Sequence, residues 1–218
     1  MKENMTEIIC VIDKSSSMTP RTKEVIEGFN KFLKDQQALP GEAKLTLTLF
    51  DTEYKVLHNG VDIKIVPELD EKTYAPMGFT ALLDAVGRTI DEVGVRLSKI
   101  SDADRPGKVI FLIITDGEEN SSREYALDTV KQQIIHQQDN YKWEFVFLGA
   151  NQDALDAANR FGIPLSNAAN VSNTSDGVVT AYAAVSDTVS TYRNTGKVDM
   201  DDKGKFVPDG STTTSGGQ

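Results

Sequence analysis

Ile8-Ile9-Cys10-Val11-Ile12-Asp13-Lys14-Ser15-Ser16-Ser17 is the stretch that decides how this chain reads. The apolar run Ile8 to Ile12 is rich in β-branched residues and suits a strand buried on both faces. Polar residues then arrive abruptly, with one carboxylate and three hydroxyls between Asp13 and Ser17. Helix-like spacing begins just after, at Met18, Val25, Ile26, Phe29, Phe32 and Leu33. The oxygens therefore fall on the turn between a central strand and its helix. Open α/β sheets bind ligands at that carboxyl edge. An oxygen-only cluster suits a hard cation such as Mg²⁺.

The 218 residues suffice for one sizeable α/β core with a small appendage. A net charge of −10 argues against a nucleic-acid or anionic-membrane partner, which would need a basic face. The single cysteine, Cys10, sits mid-strand and reads as a small core hydrophobe. Without a second cysteine there is no internal disulfide, which fits a reducing compartment. Met1-Lys2-Glu3-Asn4 offers no apolar run of the signal-peptide kind, and no stretch has transmembrane length. The expectation is a cytoplasmic protein.

Taken in order, the first strand is expected over Thr6 to Asp13 and the first helix from about Thr19 to Gln37, with Pro20 in its first turn. Leu45 to Phe50 is the second strand. Asp51-Thr52-Glu53 is too short for a crossover, so Tyr54 to His58 must return antiparallel as an edge strand blunted by Lys55 and His58. An extended piece, Asp62 to Val66, leads through a loop to a second helix beginning at Thr80. Lys108 to Thr115 and Trp143 to Leu148 are buried strands, separated by a helix over roughly Arg123 to Gln138. A short helix covers Ala154 to Phe161, closed by Gly162, and a sixth edge strand lies near Ile163 to Val171. Asp176 to Arg193 has helical spacing.

The expected domain is residues 1–196. Residues 197–218 form a polar tail with a small hairpin, Val198 to Met200 against Lys205 to Val207. A calcium loop over Asp199 to Phe206 does not fit, since Lys203 takes a ligand position and Gly210 stands where a bidentate Glu is needed.

Right-handed crossovers and the hairpin edge favour a doubly wound, Rossmann-like open sheet. It is mostly parallel, with one antiparallel edge strand, order 3-2-1-4-5-6 and helices on both faces. Asp13 and Asp116 then end neighbouring strands and converge on the switch point.

The D-x-S-x-S turn at Asp13, Ser15 and Ser17 resembles the metal-ion-dependent adhesion site of the von Willebrand factor type A family. Gly78-Phe79-Thr80-Ala81-Leu82 is similar to the family's second loop and Ile114-Thr115-Asp116-Gly117-Glu118 to its third. Ser16 departs from the glycine of many members. The resemblance covers roughly residues 5–193 of a stand-alone domain of bacterial or phage type. It implies a metal site of Asp13, Ser15, Ser17, Thr80 and Asp116 that holds Mg²⁺, with Mn²⁺ or Ca²⁺ as alternatives. It implies too an open coordination position for an Asp or Glu of a partner protein. The expected function is metal-dependent protein binding without catalysis.

The rivals are a Mg²⁺-dependent phosphate-ester hydrolase and a regulatory or assembly subunit beside an ATPase. A haloacid-dehalogenase-type phosphatase needs a second Asp where Ser15 stands. A serine hydrolase needs a histidine partner, and His58 and His136 read as surface residues. No phosphate-binding glycine loop is present. Asp51, Asp84, Glu118 and Glu119 fall near the rim, Asp84 as a helix N-terminal acid and the two glutamates as a solvated loop.

Overall fold

The computed structural model describes residues 1–116, 118–149, 154–171 and 174–198. The expected tail hairpin lies outside the described residues. Six strands form one sheet: β1 (Lys2–Asp13), β2 (Glu42–Phe50), β3 (Tyr54–Asp62), β4 (Pro106–Thr115), β5 (Glu144–Gly149) and β6 (Ala168–Asn170). Their order is β3-β2-β1-β4-β5-β6, as the connection rules require. All pairs are parallel except β2–β3.

Alternation along β1 sends side chains to two separate cores. Ile8, Cys10 and Ile12 pack beneath α1 (Thr22–Ala38) and α5 (Ser175–Thr195). Ile9 and Val11 pack beneath α2 (Leu82–Ser98), α3 (Leu127–Tyr141) and α4 (Ala154–Phe161). Both faces of the central strand are thus dry, which explains an unbroken apolar run. Cys10 is buried and its thiol pKa is pushed up by that burial. One charge breaks the pattern: Glu7 is fully buried and accepts from Arg96 Nη2 at 2.6 Å and Thr46 Oγ1 at 2.9 Å.

Several boundaries differ from expectation for local reasons. The first helix does not begin at Thr19; Ser16–Arg21 is a 3₁₀ turn that contains Pro20, and α1 starts at Thr22. β3 runs on to Asp62 through a bulge near Gly60, whose N–H donates to Thr46 Oγ1 at 3.0 Å. The expected extended piece at Asp62 to Val66 is instead a 3₁₀ turn, Ile63–Ile65, capped by the Asp62 carboxylate. α3 begins at Leu127 and not at Arg123. The amides of Arg123, Glu124 and Tyr125 all donate to the Asp84 carboxylate, at 2.8 to 2.9 Å, and so do not start a helical turn.

Candidate metal centre

Parallel pairing of β1 with β4 sets Ile12 beside Ile114, so Asp13 and Thr115 leave the sheet together. Thr115 Oγ1 donates to Asp13 Oδ2 at 2.6 Å, and the Ser15 amide donates to Oδ1 at 2.7 Å. The Tyr74 hydroxyl donates to the Asp13 carbonyl at 2.7 Å and pins the strand end. Burial pushes the Asp13 carboxyl up to about 6; the Thr115 and Ser15 hydrogen bonds oppose this, and the nearby Asp116 charge adds to it.

The hydroxyls continue the cluster. Ser15 Oγ lies 2.9 Å from Ser17 Oγ, and Ser17 Oγ donates to Asp116 Oδ1 at 2.7 Å. Asp13, Ser15, Ser17 and Asp116 therefore form one connected set across two strand ends. Thr80 is buried and fixed through its backbone. Its N–H donates to Asn120 Oδ1 at 2.9 Å, and its carbonyl accepts from the Asn120 and Ser121 amides at 3.1 and 3.2 Å. The Thr80 loop is tied to the Asp13 turn by Ser16 N–H to the Gly78 carbonyl and Met77 N–H to the Lys14 carbonyl, at 3.1 and 2.8 Å.

Sequence reasoning missed four residues that organise this site. The Arg21 guanidinium donates to Asp116 Oδ2. Thr115 holds Asp13, and Asn120 holds Thr80. Lys14 forms a buried ion pair with Asp51, whose carbonyl accepts from Ala81 N–H at 3.0 Å. Asp51 is therefore a clasp between two loops and not a rim group. Alternation after Ile114 was the available signal for Thr115; nothing local marks Asn120.

Two of the other acids hold backbone amides. Asp84 stands in the first turn of α2, as expected of a helix N-terminal acid, and its carboxylate also binds the chain entering α3. Glu119 is half-buried and accepts from the Leu83, Ser121 and Ser122 amides at 2.7 to 2.9 Å. Glu118 is exposed as expected.

The donor chemistry fits a hard cation. Two carboxylates and neighbouring hydroxyls supply only oxygen. Among the described residues, no group of three or more His, Cys, Asp or Glu is placed to hold a metal. Beyond Asp116 a cleft of about 470 Å³ runs toward Phe147 and Phe161.

No family model matches the chain, and no curated protein does. Solved structures match its fold. Proximal thread matrix protein 1 from the mussel byssus superposes with a TM-score of 0.60 at 14% identity, over 85% of this chain and 48% of that one. The same protein has been solved with a zinc-occupied metal-ion-dependent adhesion motif. The pilus adhesin SpaC of Lactobacillus rhamnosus GG gives 0.63 at 12% identity, over 88% and 30%. A von Willebrand factor type A structure from Catenulispora acidiphila gives 0.53 at 17% identity, over 85% and 42%. This chain spans less than half the length of each.

Two of these fold neighbours are a mussel byssus protein and a pilus adhesin, which runs against the cytoplasmic expectation, and that expectation is withdrawn. One cysteine is compatible with either setting, because a chain with a full-sized core needs no disulfide. Among the described residues no helix is long and apolar enough to cross a membrane. The sheet order and the three loops converge on one conclusion: the chain has the von Willebrand factor type A fold.

Proposed function

We propose that the chain is a metal-dependent protein-binding module in which Asp13, Ser15, Ser17, Thr80 and Asp116 hold a divalent cation. The observation that carries this reading is the 2.7 Å bond from Ser17 Oγ to Asp116 Oδ1, between residues 99 positions apart. That convergence of two loops supports a shared ligand. Likeness to adhesion folds supports a protein partner. Mg²⁺ is the proposed ion, since an oxygen-only donor set favours hard cations; Mn²⁺, Ca²⁺ and Zn²⁺ are the comparisons to run.

The bound ion would supply a Lewis-acidic position open to one carboxylate, an Asp or Glu of the partner. The chain's own groups do the rest. Thr115 and the Ser15 amide orient Asp13, Ser17 orients Asp116, and Asn120 fixes the height of the Thr80 loop. Calorimetric titration with each ion tests the site, and affinity capture with and without EDTA tests the partner. Metal binding undiminished in both Asp13→Ala and Asp116→Ala would overturn the assignment.

A further inference from the structure

Met77 and Phe79 are large apolar side chains, and they are 62% and 67% exposed. They flank Gly78 on the loop that carries Thr80. Exposed apolar residues are common singly, but these two are held on an unusually fixed backbone. Met77 N–H donates to the Lys14 carbonyl at 2.8 Å, and Phe79 N–H donates to Thr52 Oγ1 at 2.9 Å. Gly78 accepts from Ser16 N–H at 3.1 Å and adopts φ +72°, where any Cβ would meet Thr52 Oγ1 at 2.7 Å. The next two amides, of Thr80 and Ala81, go to Asn120 Oδ1 and the Asp51 carbonyl. The loop thus takes hydrogen bonds from three other loops while presenting two side chains that belong to neither core. A preorganised aromatic or thioether group loses little entropy on docking.

From this geometry we infer that Met77 and Phe79 form an apolar ridge that selects the residues beside the partner's carboxylate. The inference rests on the proposed metal site and deepens it. The occupant is a partner segment with one Asp or Glu flanked by large apolar side chains. The exposed apolar area of Met77 and Phe79 argues for that flanking chemistry, and charge argues against further acid. The cation consumes one carboxylate, while the net charge of −10 and the exposed Glu118 repel further acid.

The test uses the full ¹⁵N-labelled chain and three blocked pentapeptides: acetyl-Gly-Leu-Asp-Phe-Gly-amide, its Ser-Asp-Ser counterpart and its Leu-Asn-Phe counterpart. Each is titrated in saturating Mg²⁺ and in EDTA, with chemical shifts as the readout. The Leu-Asp-Phe peptide is expected to bind about tenfold more tightly than Ser-Asp-Ser, in Mg²⁺ only. The Asn peptide is expected not to bind. Met77→Ser/Phe79→Ser is expected to erase the tenfold preference while keeping Mg²⁺ affinity and melting temperature, since both side chains are exposed. Equal binding of the two Asp peptides, or a preference that survives the double variant, overturns the ridge and leaves the metal site standing. Asp-peptide binding that ignores EDTA, or no binding of either Asp peptide, overturns the metal reading beneath it. Mg²⁺-dependent dimerisation of the wild type through Phe79 would give the ridge to a second copy and also overturn the inference.

Discussion

Arg21 and Asp116 form a largely buried ion pair at the edge of the candidate metal centre, with Ser17 Oγ holding the other carboxylate oxygen. The guanidinium occupies the space beside Asp116 as a built-in monovalent counter-ion. A divalent ion arriving at Asp116 would therefore feel a fixed positive charge a few ångströms away.

Arg21→Gln is expected to tighten Mg²⁺ binding by about three- to tenfold, the repulsion expected at partly exposed sites. In EDTA the same variant should melt at a lower temperature, because Asp116 loses its partner, and added Mg²⁺ should restore the loss. Calorimetry and thermal melts check both halves. Weaker Mg²⁺ binding in the variant would make Arg21 a positioning group and not a competitor.

The opposite end of the sheet carries a pair of a different kind. Glu7 is fully buried in β1, and Arg96 of α2 is its cationic partner there. Arg96→Met is expected to cost about 3–5 kcal/mol by leaving an unpaired buried carboxylate. Glu7→Gln/Arg96→Met together should recover much of that cost. Urea denaturation of the single and double variants measures the coupling; additive losses would show that the pair is not energetically linked.

These two pairs mark where sequence reading reached its limit. The strands were legible because both faces of β1, β4 and β5 are dry, so the apolar runs are continuous. The order followed from crossover handedness and one short hairpin. The aspartates and serines of the candidate site stood out because a polar burst directly follows such a run. Arg21, Asn120 and Asp84 were not, since each acts on a group from a separate loop or strand end, and no spacing rule reports such partners. Asp84 shows the cost: by taking three amides it delays α3 to Leu127, which helix propensity alone placed earlier. The compartment was not legible because one buried cysteine carries little information.

Site and scaffold separate cleanly along β1. Asp13→Ala is expected to abolish divalent-ion binding and to keep native circular dichroism, because the carboxylate lies at the strand end and its burial is already unfavourable to the charge. Val11→Asp, two residues earlier, places an unpaired carboxylate among Phe111, Ile113 and the α2 side chains and should unfold the chain. Equal loss of circular dichroism in the two variants would refute the separation.

Thr80 gives the sharpest separation of ligand from framework. Its backbone hydrogen bonds to Asn120 and Ser121 do not involve the hydroxyl, so Thr80→Ala should leave the loop where it is. Thr80→Ala is then expected to weaken Mg²⁺ binding by about tenfold through loss of one oxygen, with melting temperature in EDTA nearly unchanged. Asn120→Ala should do the reverse in character: the Thr80 hydroxyl remains, but its loop loses a clamp, so stability in EDTA falls along with metal affinity. Partner capture should follow metal affinity in both variants, because metal and partner must enhance each other by the same factor. A Thr80→Ala protein that binds Mg²⁺ like the wild type would remove Thr80 from the site, and Asp13, Ser15, Ser17 and Asp116 would have to hold the ion alone.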